Sequence, residues 1–437
     1  MAYFTVEGGV ALQGEVEIGG AKNAALPIMA ATLLTSEECY LEKVPYIQDI
    51  LTMTEVLRAL GAELEWVDRS TLVVRARNLH TAEVPADLAT RMRSSFLVVG
   101  PLLARFGQAE APHPGGCAIG TRPVSVDLKG FQAMGAQIER QNGNYRARAP
   151  HLWGERLSLD YPSHTGTENL LMAACLARGT TIIENASVEP EVVDLAQFLN
   201  SLGARIYGAG TGIIQVEGVE RLHGGAFRIM PDRLEAGTFA LAAAVTGGCV
   251  AMDSAVAPYL GALNSKLQEA GVDVRIDPEH YVVRGTGRLR SLDIQTFPYP
   301  GFPTDLQAPF AVLMTQAEGE SSIHETMYDD RLRYVDELIS MGARIQVRGQ
   351  TAIIHGPTPL HGAKVRALDI RSGAAMTLAG LAAEGTTIIT DVHYIDRGYD
   401  RIDLKLAGLG ARITRYEDTQ KVAGEPQSHS HPEAPAG

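Results

Sequence analysis

Residues 49–64 read DILTMTEVLRALGAEL, and this stretch contains the pattern that decides the fold. Apolar side chains at positions 50, 53, 56, 57 and 60 recur at helical spacing. Asp49 is predicted to cap the start of this helix, and Gly61 offers the left-handed backbone that ends it. The stretch therefore predicts an amphipathic helix that ends at a glycine and is followed by a short strand.

The same pattern occurs six times along the chain. The terminating glycines lie at positions 61, 135, 203, 271, 342 and 410, which are 74, 68, 68, 71 and 68 residues apart. Such regular spacing is typical of a chain built from copies of one unit. The sequence therefore predicts six repeats, none of which buries its own apolar face alone.

Each unit is expected to carry a second, more apolar helix that also ends at a glycine and runs into a strand. These companion helices are predicted at residues 24–34, 95–104, 169–178, 236–246, 306–317 and 374–383. A helix that is apolar nearly all round is typical of an element enclosed on every side, so the six are expected inside. An open solenoid is the alternative, but it needs polar capping repeats, and the terminal repeats do not have that character. Closed globular domains are therefore expected.

Length and composition restrict the function. A chain of 437 residues exceeds the size at which one core stops growing, so two domains of three repeats each are expected. The first apolar stretch is short, contains Pro27 and follows no cationic segment, which predicts no signal peptide, no membrane anchor and a cytoplasmic location. The net charge of -13, from 38 basic and 51 acidic residues, argues against nucleic acid or an anionic membrane as partner.

Cysteine and histidine positions predict no structural metal. The four cysteines are widely spaced, and the twelve histidines show no ligand spacing. Cys39, Cys175 and Cys249 have apolar neighbours and are interpreted as small core residues. Cys117 differs, because Gly115 and Gly116 precede it and an arginine follows five residues later. That setting predicts an exposed, electropositive and reactive thiol.

Three short segments concentrate cations next to glycines or small residues, at residues 19–23 (GGAKN), 91–95 (RMRSS) and 115–123 (GGCAIGTRP). Glycine lets a backbone approach a phosphate closely, and lysine or arginine supplies charge and donors. An ordinary turn or a surface ion pair is the alternative interpretation of each segment taken alone.

Together with four further motifs, these segments stand in the order of a known family. The motifs are TEN at 167–169, PDRLEAGT at 231–238, FPTD at 302–305 and IDRGY at 395–399. From about residue 3 to residue 415, the chain resembles the UDP-N-acetylglucosamine 1-carboxyvinyltransferase family. The resemblance implies an α/β fold, a two-domain inside-out α/β barrel built from six βαβαββ repeats. It implies a first domain at residues 22–229 and a second that combines residues 1–21 with 230–421.

The resemblance also implies an activity, which is transfer of the enolpyruvyl group of phosphoenolpyruvate to the 3-hydroxyl of UDP-N-acetylglucosamine with release of phosphate. This is the first committed step of peptidoglycan precursor synthesis, and it needs no cofactor. The two substrates are the expected partners, and the antibiotic fosfomycin is expected to react at Cys117.

By the same resemblance, Cys117 is the proton donor and Asp305 binds and deprotonates the sugar hydroxyl. The catalytic set is Cys117, Asp305, Lys22 and Arg397. The phosphoenolpyruvate-binding set is Lys22, Asn23, Arg122, Arg331, Arg371 and Arg397. The sugar-nucleotide set is Asn23, Arg93, Arg122, Pro123, Val124, Ser125, Val126, Thr167, Asp305 and Met327.

One segment departs from the family pattern. Asp329, Asp330 and Arg331 stand where the family commonly has Glu-Asn-Arg. Asp330 is expected to pair with Arg331 and weaken its contact with an anion.

Two alternative functions remain open. A transferase that uses shikimate 3-phosphate shares the fold and phosphoenolpyruvate, but it lacks the Gly-Gly-Cys loop. A regulatory protein that binds UDP-sugars without turnover would have no need of Cys117, Asp305 or Arg397, all of which this chain retains.

Residues 422–437 follow the sixth repeat and are rich in Pro, Ser, His, Glu and Ala, which predicts a disordered tail. Deleting them is expected to leave turnover and melting temperature unchanged, because the segment has almost no apolar side chains to bury. Thermal melting and a turnover assay of the full and shortened chains test this. A large drop in either quantity would show that the tail docks on the folded protein.

Overall fold

The computed structural model describes residues 2–115 and 123–417. The α-helices in these residues are α1 (Lys22–Ala31), α2 (Gln48–Leu60), α3 (Ala86–Ala89), α4 (Val99–Phe106), α5 (Ser125–Ala133), α6 (His164–Ala174), α7 (Pro190–Ser201), α8 (Arg233–Val245), α9 (Gly261–Glu269), α10 (Thr304–Thr315), α11 (Tyr334–Ser340), α12 (Ile370–Ala382) and α13 (Ile402–Gly408). Short 3-10 helices lie at Thr32–Leu34, Arg93–Val98, Ser254–Leu260 and Val392–Arg397.

The strands of the same residues are β1 (Tyr3–Glu7), β2 (Gln13–Glu15), β3 (Glu38–Glu42), β4 (Glu63–Trp66), β5 (Leu72–Arg75), β6 (Gln108–Pro112), β7 (Gln137–Gln141), β8 (Asn144–Arg148), β9 (Arg156–Ser158), β10 (Thr180–Glu184), β11 (Arg205–Tyr207), β12 (Ile213–Glu217), β13 (Gly225–Arg228), β14 (Cys249–Asp253), β15 (Asp273–Ile276), β16 (His280–Arg284), β17 (Ile294–Gln295), β18 (Gly319–His324), β19 (Arg344–Arg348), β20 (Thr351–Gly356), β21 (Lys364–Arg366), β22 (Thr386–Thr390) and β23 (Arg412–Tyr416).

The strands form small sheets that repeat one pattern. In the order β13-β3-β5-β4, strand β3 pairs in parallel with β13 and antiparallel with β5, and β4 completes an antiparallel hairpin. The same arrangement recurs in β9-β10-β12-β11, β2-β14-β16-β15, β17-β18-β20-β19 and β21-β22-β1-β23. Among the described residues, the sheet β6-β8-β7 has no parallel partner strand, and an isolated bridge between Glu83 and Glu110 takes that place.

Glycine ends each amphipathic helix as predicted. The glycines at positions 61, 135, 203, 271, 342 and 410 have φ angles of 105, 98, 97, 96, 99 and 96°. After α2, the Gly61 N–H donates to the Arg58 carbonyl and the Ala62 N–H to the Leu57 carbonyl. These bonds satisfy carbonyls that the helix end leaves unpaired, in a backbone conformation that strains any side chain.

The companion helices lie inside, as predicted. In α12 every residue from Ile370 to Leu381 is buried. In the second half of the chain α8, α10 and α12 contact one another, and in the first half α6 contacts both α1 and α4. One detail of the prediction is wrong, because the first companion helix ends without a glycine. It continues into the 3-10 turn Thr32–Leu34, and Thr35 follows in an extended conformation.

The predicted helix cap at Asp49 is also wrong. Helix α2 begins at Gln48, and its N-cap residue is Ile47, whose side chain makes no capping hydrogen bond. Asp49 lies one residue inside the helix and is buried. Its carboxylate is used elsewhere, between the two halves of the molecule.

The buried apolar side chains of the described residues form two cores. The first core lies within residues 21–230, and the second combines residues 4–18 with residues 234–413. Strands β1 and β2 pair with β22, β23 and β14, which joins the start of the chain to the second core. The chain therefore passes between the cores twice, near residue 20 and near residue 231. The domain limits stated above remain a prediction.

Arg233 lies at the second crossing and joins the cores through buried charge. Its Nε donates to Glu191 Oε1 at 3.0 Å, and its Nη2 contacts Glu189 Oε2 at 2.5 Å. The Arg233 side chain is 6% exposed and that of Glu191 is 2% exposed. Two carboxylates at the start of α7 therefore hold the first residue of α8.

The three cysteines of the described residues differ in burial. Cys39 and Cys175 are buried as expected, and burial raises the pKa of each thiol to about 12. Cys249 is only half-buried, so its assignment to the core is wrong.

Within residues 2–115 and 123–417, no helix is long and apolar enough to cross a membrane.

Replacing Arg233 with methionine is expected to destabilise the protein by about 3–5 kcal/mol, because the buried Glu191 and the half-buried Glu189 would lose their cation. The melting temperature measured by circular dichroism should fall by several degrees. Arg228→Met is the matched control, since the side chains of Arg228 and its partner Glu42 are 66% and 44% exposed. Equal melting temperatures for Arg233→Met and the parent would contradict this account.

Candidate active site

Lys22 lies in the first turn of α1, where the chain enters the first core. Its backbone N–H donates to Asp232 Oδ2 at 3.3 Å, which ties the first crossing to the second. Gly20 is needed just before it, since a Cβ there would lie 1.7 Å from the Lys43 carbonyl oxygen. The two crossings thus hold Lys22 between the cores, with 9% of the residue exposed.

Asp49 brings two predicted cations together. Its Oδ2 accepts a hydrogen bond from Lys22 Nζ at 3.3 Å, and its Oδ1 accepts one from Arg397 Nε at 2.8 Å. Lys22 and Asp49 lie on helices of the first core, whereas Arg397 ends the 3-10 helix Val392–Arg397 of the second. The side chains are 11%, 6% and 13% exposed, in the order Lys22, Asp49 and Arg397. The carboxylate therefore bridges the two cores.

Among the described residues, Asp305 brings together the other two arginines of the predicted phosphoenolpyruvate-binding set. It lies in the first turn of α10, where its Oδ1 accepts a hydrogen bond from Arg331 Nη2 at 2.5 Å and its Oδ2 accepts one from Arg371 Nε at 2.9 Å. Both arginine side chains are 4% exposed. Each carboxylate oxygen has a second lone pair, so Asp305 can still accept a hydrogen bond from a ligand hydroxyl.

The charges around Asp305 determine its protonation. Burial alone would raise the pKa of Asp305, but the positive charges of Arg371, Arg331 and Lys22 outweigh burial and hold this pKa well below its usual value. The carboxylate is therefore ionised at neutral pH. Lys22, which pairs with Asp49, is among the charges that lower this pKa, so we treat the two carboxylates as parts of one site. We refer to Lys22, Arg331, Arg371 and Arg397, with Asp49 and Asp305, as the ion cluster.

The start of α12 fixes Arg371. Asp369 caps this helix, accepting hydrogen bonds from the backbone N–H groups of Arg371 and Ser372 at 2.7 and 3.1 Å. The Ser372 hydroxyl accepts the Asp369 N–H in return, which completes a capping box. Arg371 Nη1 donates to the Tyr399 hydroxyl at 3.0 Å. The cap thus fixes the backbone of Arg371, while Tyr399 and Asp305 hold its guanidinium.

The expected pairing of Asp330 with Arg331 is wrong. Asp330 is exposed, and the ion pairs of Arg331 go to Asp305 and, at 4.0 Å, to Asp369. Asp329 accepts a hydrogen bond from Gln350 at 2.9 Å. The extra negative charge of this chain therefore takes no part in the ion pairs of the ion cluster.

Some of the predicted sugar-nucleotide residues meet beside α5. Arg93 Nη2 donates to the Pro123 carbonyl oxygen at 2.9 Å. Pro123 is exposed, Val124 and Val126 are buried, and Ser125 is half-buried at the start of α5. A small cavity in this region is lined by Arg93, Phe96, Leu97, Val124, Asp127, Thr165 and Asn169. Burial raises the pKa of Asp127, against the opposing effect of its hydrogen bond from Asn169.

The remaining predicted residues differ in accessibility. Asn23 is half-buried next to Lys22 on α1, and Met327 is 37% exposed. Thr167 is fully buried, and its hydroxyl accepts the Ser187 N–H at 3.0 Å, so it faces the protein interior. Glu325 links Met327 to the start of α10, because it accepts hydrogen bonds from the Met327 N–H and the Thr304 hydroxyl.

Cys117 and Arg122 lie in residues 116–122, outside the described residues, so their roles remain predictions. The structure does define what flanks them. The Gly115 N–H donates to the Ala89 carbonyl at 3.1 Å, and a Cβ at Gly115 would lie 1.9 Å from the Thr90 carbonyl oxygen. Pro123, on the other side, is held by Arg93.

The sequence analysis missed the bridging role of Asp49. A signal was present, because Asp49 stands four, seven and eleven residues before Met53, Val56 and Leu60, which are all buried. That spacing places a carboxylate on the apolar face of an amphipathic helix. A charge in such a position indicates a buried partner, although the sequence alone does not identify it.

Comparisons with known proteins agree with this description. A family model described as EPSP synthase (3-phosphoshikimate 1-carboxyvinyltransferase) matches residues 6–406. A Gluconacetobacter diazotrophicus protein named UDP-N-acetylglucosamine 1-carboxyvinyltransferase is 51% identical over 421 residues, which cover 96% of this chain and 100% of that protein. A Carboxydothermus hydrogenoformans protein named UDP-N-acetylglucosamine 1-carboxyvinyltransferase 2 is 49% identical over 420 residues, with the same coverage.

Solved structures confirm the predicted fold class. The enolpyruvyl transferase NikO from Streptomyces tendae matches with a TM-score of 0.86 and 26% identity, over 95% of this chain and 98% of that chain. EPSP synthase from Acinetobacter baumannii matches with a TM-score of 0.75 over 95% of this chain and 100% of that chain, and at 18% identity this likeness shows the fold alone. The sequence relatives and the structures together show that this chain belongs to the UDP-N-acetylglucosamine 1-carboxyvinyltransferase family of enolpyruvyl transferases.

Proposed function

We propose that this chain transfers the enolpyruvyl group of phosphoenolpyruvate to the 3-hydroxyl of UDP-N-acetylglucosamine and releases phosphate. The observation that carries the proposal is the ion cluster, in which cations from both cores surround the buried carboxylate of Asp49 and the half-buried carboxylate of Asp305. The names of relatives that are 51% and 49% identical support the choice of sugar nucleotide. The reaction would begin peptidoglycan precursor synthesis in the cytoplasm.

The chemistry requires an acid, a base and several cations. Carbon 3 of phosphoenolpyruvate gains a proton, and the sugar hydroxyl loses its proton as its oxygen attacks carbon 2. Phosphate then leaves from the tetrahedral adduct. In the proposal Cys117 supplies the proton to carbon 3 and Asp305 receives the hydroxyl proton. Fixed positive charges stabilise the anionic groups throughout.

The phosphate and carboxylate of phosphoenolpyruvate are proposed to bind Lys22, Asn23, Arg122, Arg331, Arg371 and Arg397. Arginine suits such a site, because its planar guanidinium binds a phosphate or carboxylate through two parallel hydrogen bonds. Lys22 comes from the first core, whereas Arg331, Arg371 and Arg397 come from the second. A ligand that binds both groups would therefore stabilise the arrangement of the two cores seen here.

Asp305 is suited to bind and orient the sugar hydroxyl. Its lowered pKa makes it a weak base toward an ordinary alcohol. The hydroxyl becomes much more acidic as its oxygen bonds to carbon 2, so a carboxylate that already accepts its hydrogen bond can take the proton at that stage. Arg331 and Arg371 fix both oxygens of Asp305, which keeps the carboxylate in one orientation.

The sugar nucleotide is proposed to bind Asn23, Arg93, Arg122, Met327 and residues 123–126, with its hydroxyl at Asp305. Arg93 and Pro123 are already joined by a hydrogen bond, and Met327 is exposed beside the start of α10. Thr167 is fully buried, so in this proposal it supports α6 through its bond to Ser187.

The proposed reaction is tested by incubating the protein with phosphoenolpyruvate and either UDP-N-acetylglucosamine or shikimate 3-phosphate, and measuring released phosphate. We expect phosphate release only in the mixture that contains UDP-N-acetylglucosamine. Phosphate release only in the mixture that contains shikimate 3-phosphate would show that the chain transfers the enolpyruvyl group to that substrate instead. Binding of the UDP-sugar without release in either mixture would favour a regulatory role.

Replacing Asp305 with alanine is expected to lower kcat by about 10²- to 10⁴-fold, because the change removes a proton acceptor and a sugar ligand together. Asp336→Ala, on the exposed face of α11, is the matched control and should turn over like the parent. Steady-state assays of phosphate release compare the three proteins. Near-normal turnover of Asp305→Ala would remove this residue from the mechanism.

Fosfomycin is expected to modify Cys117 alone. Its phosphonate would bind the cations that hold phosphate, and the Cys117 thiolate would attack an epoxide carbon so that the carbon–oxygen bond opens. UDP-N-acetylglucosamine should accelerate the reaction, and Cys117→Ser should abolish it. The half-buried Cys249 provides the control, because Cys249→Ser should react like the parent. Intact-mass and peptide mass spectrometry identify the adduct, and modification spread over other cysteines would contradict the assignment.

A further inference from the structure

Asp49 lies outside the residue sets assigned above, yet it contacts two of their members. Its oxygens accept hydrogen bonds from Lys22 Nζ at 3.3 Å and from Arg397 Nε at 2.8 Å. Its side chain is 6% exposed. Of the carboxylates in the ion cluster, Asp49 contacts cations from both cores, whereas Asp305 pairs with two arginines of the second core.

Helix stability does not explain this carboxylate. Asp49 makes no capping bond at the start of α2. A negative charge in the first turn does complement the helix dipole, but an exposed acidic residue would do this without losing hydration. Removing a carboxylate from water is costly unless cations and hydrogen bonds compensate it. Lys22 and Arg397 provide that compensation, so the position of Asp49 makes sense only together with theirs.

The two hydrogen bonds of Asp49 instead control where Lys22 and Arg397 lie. Lys22 and Arg397 are like charges in a site that is mostly shielded from water, where their repulsion is stronger than at the surface. Asp49 offers each cation a different oxygen, so it counteracts their repulsion and sets the distance between them. Because Lys22 and Arg397 belong to different cores, the same contact also sets how the cores meet at the site.

We propose that Asp49 is a positioning residue, whose carboxylate holds Lys22 and Arg397 at the spacing required by the anionic groups of phosphoenolpyruvate. This inference rests on the proposed function. It makes a specific prediction about charge, because Asp49 also competes with a bound anion for both cations. Loss of its charge should therefore misplace the cations for reaction and, at the same time, increase their attraction for a simple anion.

The test compares Asp49→Asn, Asp49→Glu and Asp400→Asn with the parent. Asn keeps the size of the side chain and removes its charge, whereas Glu keeps the charge. Asp400→Asn is the matched control, since Asp400 pairs with Arg69 between the two halves of the chain but in a more exposed position. The measurements are kcat, KM for phosphoenolpyruvate, melting temperature, and the Kd of inorganic phosphate by calorimetry.

For Asp49→Asn we expect kcat to fall about 100-fold, as a displacement of about 1 Å at reacting groups can cause. The Kd of inorganic phosphate should decrease, and the melting temperature should fall by several degrees, because two buried cations lose the carboxylate that they share. Asp49→Glu should recover at least part of kcat, and Asp400→Asn should match the parent. A kcat for Asp49→Asn close to the parental value would overturn the inference. A lower kcat accompanied by weaker phosphate binding would also overturn it.

Failure of the proposed function can be distinguished from failure of the Asp49 inference. If the parent protein releases no phosphate with UDP-N-acetylglucosamine, the function fails. The phosphate Kd of the parent, Asp49→Asn and Asp400→Asn still tests whether Asp49 competes for the two cations. Tighter phosphate binding by Asp49→Asn alone would support that contact, and equal binding by all three would overturn it.

Discussion

The apolar companion helices cannot be covered within one repeat, and this constraint governs the rest of the structure. Three such helices bury one another in the second core, and α1, α4 and α6 pack together in the first. Helices thus occupy the interior, while the small sheets and the amphipathic helices surround them. The sheets also use strands from distant parts of the chain, as when β1 inserts between β22 and β23. Burial of one helix class therefore explains the closed cores, and the pairing of β1 and β2 with strands of the second core accounts for the first crossing of the chain.

Two cores leave an interface, and in this interface the chain buries charged side chains. Arg233 pairs with Glu189 and Glu191, and Asp49 pairs with Lys22 and Arg397. Buried ion pairs stabilise little compared with well-packed apolar contacts, but removing one partner is costly. Such pairs therefore specify how the halves meet. They also leave cations in a water-poor site, where their attraction for an anionic ligand is stronger than in bulk water.

The structure also shows how a departure from the family pattern is accommodated. Asp330 adds a negative charge next to Arg331 in the sequence, but successive residues need not point in the same direction. Arg331 turns inward to Asp305, and Asp330 remains exposed. Adjacency along the chain was therefore a poor guide to ion pairing at this position. For Arg331 the decisive partner was 26 residues away in the sequence.

The sequence by itself determined the repeats, the buried helices and the glycine stops, because helical periodicity and the left-handed glycine conformation are local properties. It also supplied the family resemblance, and with it Lys22, Asp305, Arg331, Arg371 and Arg397, which the structure brings into one site. Only the tertiary structure decided that Asp49 bridges the cores, that Thr167 faces the interior and that Cys249 is half-buried. Each of these depends on which distant element packs against a side chain. Distances of hundreds of residues, such as the 348 that separate Asp49 from Arg397, leave no periodic signal in a single sequence.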